Sequence, residues 1–141
     1  MRVLAGPIFL IYKLWIGCVF WFSLLLLYPF FWLLLQNRKT FVHAYYLKKI
    51  WAWGISALIF CPIKKEVRHQ IPKGPILIAS NHMSYLDTVF MYLIIPQYFV
   101  FIGKAELLKW PLFSVFFRKG QDIPVHRGSP REAKLSMLRA L

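Results

Sequence analysis

Acidic side chains are scarce in this chain: 5 Asp plus Glu stand against 18 Lys plus Arg in 141 residues, a formal charge of +13. Such a balance suits molecules that meet anionic surfaces, including disordered basic tails, nucleic-acid modules and membrane proteins. The rest of the composition excludes the first two. With 59% hydrophobic residues, 13 Phe and 6 Trp, the chain is too apolar to remain unfolded, and a nucleic-acid module has no use for an apolar first third. Cysteine is scarce too. Cys18 and Cys61 lie in apolar surroundings with no C-x-x-C pair and no clustered histidine, so neither a disulfide framework nor a metal-ligand pattern is supported. Internal repeats and low-complexity tracts are missing, and the length allows one domain at most.

Charge of either sign is missing from residues 14 to 35. At ~1.5 Å per helical residue this run spans about 33 Å, enough to cross a hydrocarbon core, and it reads as a transmembrane or deeply embedded helix. A cleaved signal peptide has a shorter apolar core that ends at a small-x-small site, and no such site follows Leu35. Pro29 is expected to kink or interrupt the helix, which keeps a re-entrant or hairpin-like insertion open. Trp15, Trp21, Tyr28 and Trp32 suit a helix that seeks the interface. After a basic break at residues 36 to 40, with Arg38 and Lys39, a second apolar stretch over residues 41 to 61 is interrupted by Lys48 and Lys49. It reads either as an interfacial helix, with Trp51 and Trp53 at head-group level and the lysines on phosphates, or as a core helix of the domain that follows. Arg38, Lys39, Lys48, Lys49, Lys64 and Lys65 outweigh Arg2 and Lys13. By the positive-inside rule the later part of the chain then faces the cytoplasm.

Beyond Pro62 short apolar runs alternate with turn residues. A turn at Pro72-Lys73-Gly74-Pro75 feeds residues 76 to 80, a continuous apolar strand of the kind buried on both faces. A helix over residues 88 to 95, a strand over 98 to 102, a helix over 107 to 117 broken at Pro111, and a short strand over 123 to 125 follow. Ser129, Pro130 and Glu132 open a last helix with a capping box. The expected fold class is α/β: membrane-embedded or interfacial helices over residues 1 to 61, then the first part of a mixed αβ domain over residues 62 to 141.

Directly after the first expected strand stands Asn81-His82-Met83-Ser84-Tyr85-Leu86-Asp87. A histidine and a carboxylate thus fall at the C-terminal end of a strand, where open α/β sheets bind ligands. On one helix His82 and Asp87 would diverge by about 140°, so they meet only if His82 lies in the turn before a helix. Ser84 as N-cap supplies that geometry and puts Asp87 in the first turn. The carboxylate can then reach back to a ring nitrogen, fix the tautomer and stabilise the imidazolium formed when the other nitrogen takes a proton. Ser84-x-x-Asp87 is equally a capping box, and His82 could be a satisfied loop histidine. His43 and His69 have no partner at useful spacing.

Asn81-His82-x-x-x-x-Asp87 after an apolar strand, behind an apolar N-terminus, resembles the first block of the glycerolipid acyltransferases, the lysophosphatidic acid acyltransferase family. Lys104-Ala105-Glu106-Leu107, followed by Pro111, Gly120 and Ile123-Pro124-Val125-His126-Arg127, is similar to that family's second block and its arginine-terminated strand. The resemblance covers roughly residues 62 to 141. It implies transfer of a fatty acyl group from acyl-CoA or acyl carrier protein, with no other cofactor and no metal, to the sn-2 hydroxyl of 1-acylglycerol-3-phosphate. The product is phosphatidic acid, made at a lipid membrane with the catalytic part facing the cytoplasm. A different lysolipid acceptor, such as an ornithine-type lipid, and an inactive membrane-associated fragment are the alternatives; nucleic acid is not an expected partner. In this reading His82 is the general base and Asp87 its support. Arg127 is the first candidate for the acceptor phosphate, since its planar fork meets two oxygens, and Lys104 is the second. Glu106 has a supporting role, with Asn81, Ser84 and Gly120 as further candidate substrate contacts. Backbone amides at the start of the Ser84 helix are candidates for holding the oxyanion. His126 departs from the acidic residue the family often carries there. The family's third block, an E-G-T-R-like stretch, has no counterpart, so the chain is expected to be the N-terminal part of a catalytic domain with an incomplete substrate cradle.

Overall fold

The computed structural model describes residues 2–66, 72, 74, 76–81, 84 and 86–125. Helix α1, Arg2–Leu34, begins well before the uncharged run and continues through Pro7 and Pro29. A proline inside a helix costs about 3 kcal/mol. Here Leu24, Phe31 and Leu35 are buried around it, at about 2 kcal/mol each, so packing outweighs the missing hydrogen bond. The chain reverses at residues 35 to 40 instead, where Asn37 Oδ1 accepts the Lys39 N–H at 3.0 Å and a 3-10 turn forms over Arg38–Thr40.

Helix α2, Phe41–Leu58, returns antiparallel to α1. The Tyr12 hydroxyl donates to the Ile59 carbonyl at 2.8 Å, the Trp15 indole to the Leu58 carbonyl at 3.1 Å, and the Trp51 indole to Ser23 Oγ at 2.9 Å. These bonds fix the register of a helical hairpin. Ala44, Tyr45, Trp51, Ala52 and Ile55 form the buried face of α2, whereas Val42, Tyr46, Ile50 and Trp53 form an exposed apolar stripe. Trp51 is thus a core residue and not an interfacial one, while Trp53 is exposed. Past α2, the Cys61 N–H donates to the Ser56 carbonyl and the Phe60 N–H to the Ala57 carbonyl, with Phe60 left-handed at φ +55°. This is the Schellman ending usually given to glycine.

Helix α3, Asp87–Ile94, falls where a helix is expected, one residue early. Strand β1 occupies Ile102–Lys104, later than the expected 98 to 102, and strand β2 occupies Ile123–Val125 as expected. They pair in parallel, Ile102 opposite Ile123 and Lys104 opposite Val125. Between them the expected helix over 107 to 117 is split, as Pro111 implies, into a 3-10 turn over Ala105–Lys109 and helix α4, Ser114–Arg118. Residues 76 to 80 form no strand, and Leu77 is 82% exposed. A strand requires a ladder partner, and none reaches this run among the described residues. The helix expected from Ser129 lies outside the described residues. The described chain is therefore mostly helical, with one small parallel sheet.

One apolar core joins the hairpin to the later elements, running from Leu24, Phe31 and Trp51 to Val89, Tyr92, Val115 and Phe116. Phe31 meets Phe116 edge-on at 5.1 Å, and Phe20 stacks on Phe113 at 6.2 Å. Gly103 lets α4 approach β1, because a Cβ there would lie 2.7 Å from Phe117 Cζ.

Candidate active site

The segment before α3 is built around Ser84 and Asp87. Ser84 N–H donates to Asp87 Oδ2 at 2.9 Å, Leu86 N–H to Ser84 Oγ at 3.2 Å, and Asp87 N–H to the Ser84 carbonyl at 3.2 Å. The carboxylate thus reaches backward out of the first turn, as the spacing requires, and makes the acidic half of a capping box. The serine half differs: Ser84 Oγ closes a local turn on Leu86, so the helix begins at Asp87. The amides of Ser84, Leu86 and Asp87 are bonded internally in this turn. His82 lies outside the described residues. A carboxylate accepts at two oxygens, so the Ser84 bond and one from an imidazole N–H are compatible on Asp87. Asn81 is exposed at the start of this loop.

The second group of candidates gathers around the sheet. Lys104 is the last residue of β1 and stands opposite Val125, the last of β2. His126 and Arg127 follow β2 in sequence and lie outside the described residues. Lys104 is exposed, as is Glu106 in the following 3-10 turn. Among the described residues these two are not ion-paired. Gly120 closes α4, its N–H on the Val115 carbonyl at 3.1 Å, and a Cβ there would lie 2.2 Å from the Phe116 carbonyl oxygen. Only glycine fits that turn.

One charged residue that the sequence does not single out, Asp122, pairs with Lys48, which the sequence reads as a phosphate ligand. Asp122, just before β2, is 8% exposed; Oδ2 pairs with Lys48 Nζ at 3.3 Å and Oδ1 accepts the Phe101 N–H at 3.0 Å. Lys48 also lies over the rings of Phe116 at 4.7 Å and Tyr92 at 5.4 Å. It is therefore an internal cation and not a free phosphate ligand. Its place was readable, since positions 44, 48, 51, 52 and 55 share a helix face; nothing local marks Asp122 as its partner. Burial pushes the neighbouring hydroxyls up: Tyr92 well above its ordinary value, with Asp122 adding to it, and Tyr98 likewise, first by burial and then by Asp122. Tyr45 is pushed up to about 12 by burial and by Tyr98 and Tyr46. The crevice lined by Tyr45, Lys48, Tyr98 and Asp122 is no larger than a water molecule and holds no substrate. Among the described residues no three His, Cys, Asp or Glu side chains come together as metal ligands.

Comparison of the sequence with known proteins finds relatives over this part of the chain. A 1-acyl-sn-glycerol-3-phosphate acyltransferase of Neisseria gonorrhoeae is 32% identical over 83 residues, covering 57% of this chain and 32% of the relative. Another of that description from Limnanthes douglasii is 32% identical over 92 residues, covering 65% of this chain and 30% of the relative. A lyso-ornithine lipid O-acyltransferase of Pseudomonas aeruginosa is 28% identical over 83 residues, covering 58% and 31%. The chain thus spans about a third of the length of these curated relatives. No solved structure matches it. Residues 62–141, which hold every candidate site residue, match the acyltransferase family profile, and the chain belongs to that family.

Proposed function

We propose that this chain carries the acid–base part of a glycerolipid acyltransferase, acting on 1-acylglycerol-3-phosphate at a membrane surface with a fatty acyl thioester as donor. The observation that carries it is the Asp87 carboxylate reaching back across the loop that contains His82, inside the family match. Neutral His82, with one ring N–H held by Asp87, takes the proton of the sn-2 hydroxyl as its oxygen attacks the thioester carbonyl. The tetrahedral adduct collapses, the carbon–sulfur bond breaks, and the thiolate takes the proton back from the imidazolium. An ester and a free thiol result, with no covalent enzyme intermediate. Lys104, at the end of β1, and Arg127, by family resemblance, are the cations for the acceptor phosphate.

Membrane association is supported by α1, the one helix among the described residues long and apolar enough to cross a bilayer. Packing argues for a particular seating. Along its second half α1 carries the rest of the molecule on one side, with Trp21 on Trp110, Phe31 on Phe116 and Trp32 under Lys119. A perpendicular crossing by residues 14 to 35 would draw the Lys48–Asp122 pair into the hydrocarbon, at about 3 kcal/mol or more for each charge. A hairpin lying flat instead sinks Phe22, Leu25, Leu26, Phe30 and Leu33, all exposed, and leaves the opposite side in water. We take the side on which the catalytic part then lies to be the cytoplasmic one, where the acyl thioester donor is met.

In a complete chain, His82→Ala is expected to lower acyl transfer by about 100-fold or more; near-normal turnover removes His82 from the mechanism. Arg127→Ala is expected to raise the acceptor KM. The Pseudomonas relative favours a second reading, a lyso-ornithine acceptor. That acceptor lacks the phosphate, so transfer to it would be indifferent to Arg127→Ala, and assaying both acceptors side by side separates the two.

A further inference from the structure

The hairpin turn brings together three cations and an aromatic ring. Arg38 and Lys39 sit in the 3-10 turn between α1 and α2, and Lys119, from the end of α4, folds onto the same end of the hairpin. Its Nζ donates to Gln36 Oε1 at 2.9 Å and lies 4.6 Å above the Trp32 ring. All three cations are exposed, and among the described residues none is paired with a carboxylate. The carboxylate nearest to Lys119 in sequence, Asp122, is buried and bound to Lys48. Trp32 is 45% exposed and adjoins Phe30 and Leu33 on the outer apolar face of α1. Cations unmatched by acids, bordering an apolar face through a half-exposed tryptophan, have the order of layers found in a bilayer surface: acyl chains, glycerol level, phosphates. An acidic protein would complement the charges but not the apolar face beside them.

We propose that this turn binds anionic phospholipid head groups, with Arg38, Lys39 and Lys119 on phosphates and Trp32 at the glycerol level. The proposal rests on the flat seating of the hairpin argued above and adds a lipid class to it. The test is partition of the chain between vesicles of phosphatidylcholine alone and of phosphatidylcholine mixed with phosphatidylglycerol, at low salt. The mixed vesicles are expected to bind more tightly. Each basic residue near such a surface contributes about fivefold, so Arg38→Gln/Lys39→Gln/Lys119→Gln should lose about 100-fold on mixed vesicles and little on phosphatidylcholine. Its helicity by circular dichroism should match the parent, and Lys119→Arg should keep the preference. Lys64→Gln/Lys65→Gln, removing exposed cations beyond the far end of the hairpin, is the control for net charge. Per-charge losses equal to those of the turn variant would overturn the assignment, as would equal binding of the parent to both vesicle types. Binding to neither would sink the membrane seating itself, a separate result from loss of the lipid preference.

Discussion

Neutralising one member of the Lys48–Asp122 pair should do more harm than removing both. The pair is nearly out of water, with side chains 12% and 8% exposed, and its geometry is constrained from three sides: α2 through Lys48, the approach to β1 through the Phe101 amide, and the approach to β2 through Asp122 itself. Lys48→Met keeps most of the apolar stem against Tyr92 and Phe116 but strands a buried carboxylate. A stranded buried charge costs about 3 to 5 kcal/mol, and since Asp122 still accepts the Phe101 N–H the lower end, about 3 kcal/mol, is expected. Asp122→Asn keeps that acceptor and strands the ammonium, which still has two ring faces near it; about 2 kcal/mol is expected. In Lys48→Met/Asp122→Asn neither charge remains, and the amide oxygen still meets Phe101, so the double variant should lie within about 1 kcal/mol of the parent.

Denaturant unfolding in a mild detergent, with all four proteins compared at constant slope, measures the cycle. The expected coupling is about 4 kcal/mol. Additive losses, with the double variant the least stable of the set, would refute the claim that the charges sustain one another. The same pair has a functional readout in a complete chain. Asp122 is five residues before Arg127, and β2 carries the chain between them. Single substitutions should raise the acceptor KM more than they lower kcat, and the double variant should restore it.

Two further outcomes follow from local chemistry. Phe60 adopts a left-handed backbone at φ +55° and is 85% exposed, so Phe60→Gly should stabilise the detergent-solubilised fold by about 1 kcal/mol. It should also weaken vesicle partition by about tenfold as a lipid-facing ring is lost; a lower thermal midpoint would contradict the strain. Tyr45, Tyr92 and Tyr98 are raised in the folded chain, Tyr45 to about 12, against about 10 when unfolded. The folded state therefore holds these protons while the unfolded state releases them. Their stabilisation is complete below about pH 10 and is lost as pH climbs through the folded values. Tyrosinate absorbance and unfolding should rise together in that window, and ionisation of these rings near pH 10 in an intact fold would contradict it.

What could be read from the sequence was whatever depends on neighbours along the chain. Pro111 breaks the element around it because a proline lacks the N–H a helix needs there, and α3 begins where Ser84 and Asp87 can exchange bonds across one turn. The strand over 123 to 125 is bounded by residues that end a helix before it. What could not be read depends on partners far away. Residues 76 to 80 have strand composition, yet composition supplies only the residues of a strand and not the ladder, so Leu77 stands exposed. Pro29 failed to stop α1 because the residues that hold it, Trp51 and Phe116, come 22 and 87 positions later.

Lys48 shows how the two kinds of information combine. Taken alone, a lysine in an apolar helix reads as a head-group ligand, and Lys48 with Lys49 also counts among the basic residues that outweigh Arg2 and Lys13. Helical periodicity already put it on the same face as Ala44, Trp51 and Ile55, and a buried lysine needs an acid. Besides Asp122, the described acidic residues are Glu66, Asp87 and Glu106. Asp87 is turned onto Ser84, and Glu66 and Glu106 are exposed, so Asp122 alone is placed to answer it. The scarcity of acid noted at the outset therefore has a structural corollary. With so few carboxylates, those that are buried or turned inward are committed to particular partners, and Arg38, Lys39 and Lys119, which no described carboxylate pairs, are free to meet the phosphates of a lipid surface.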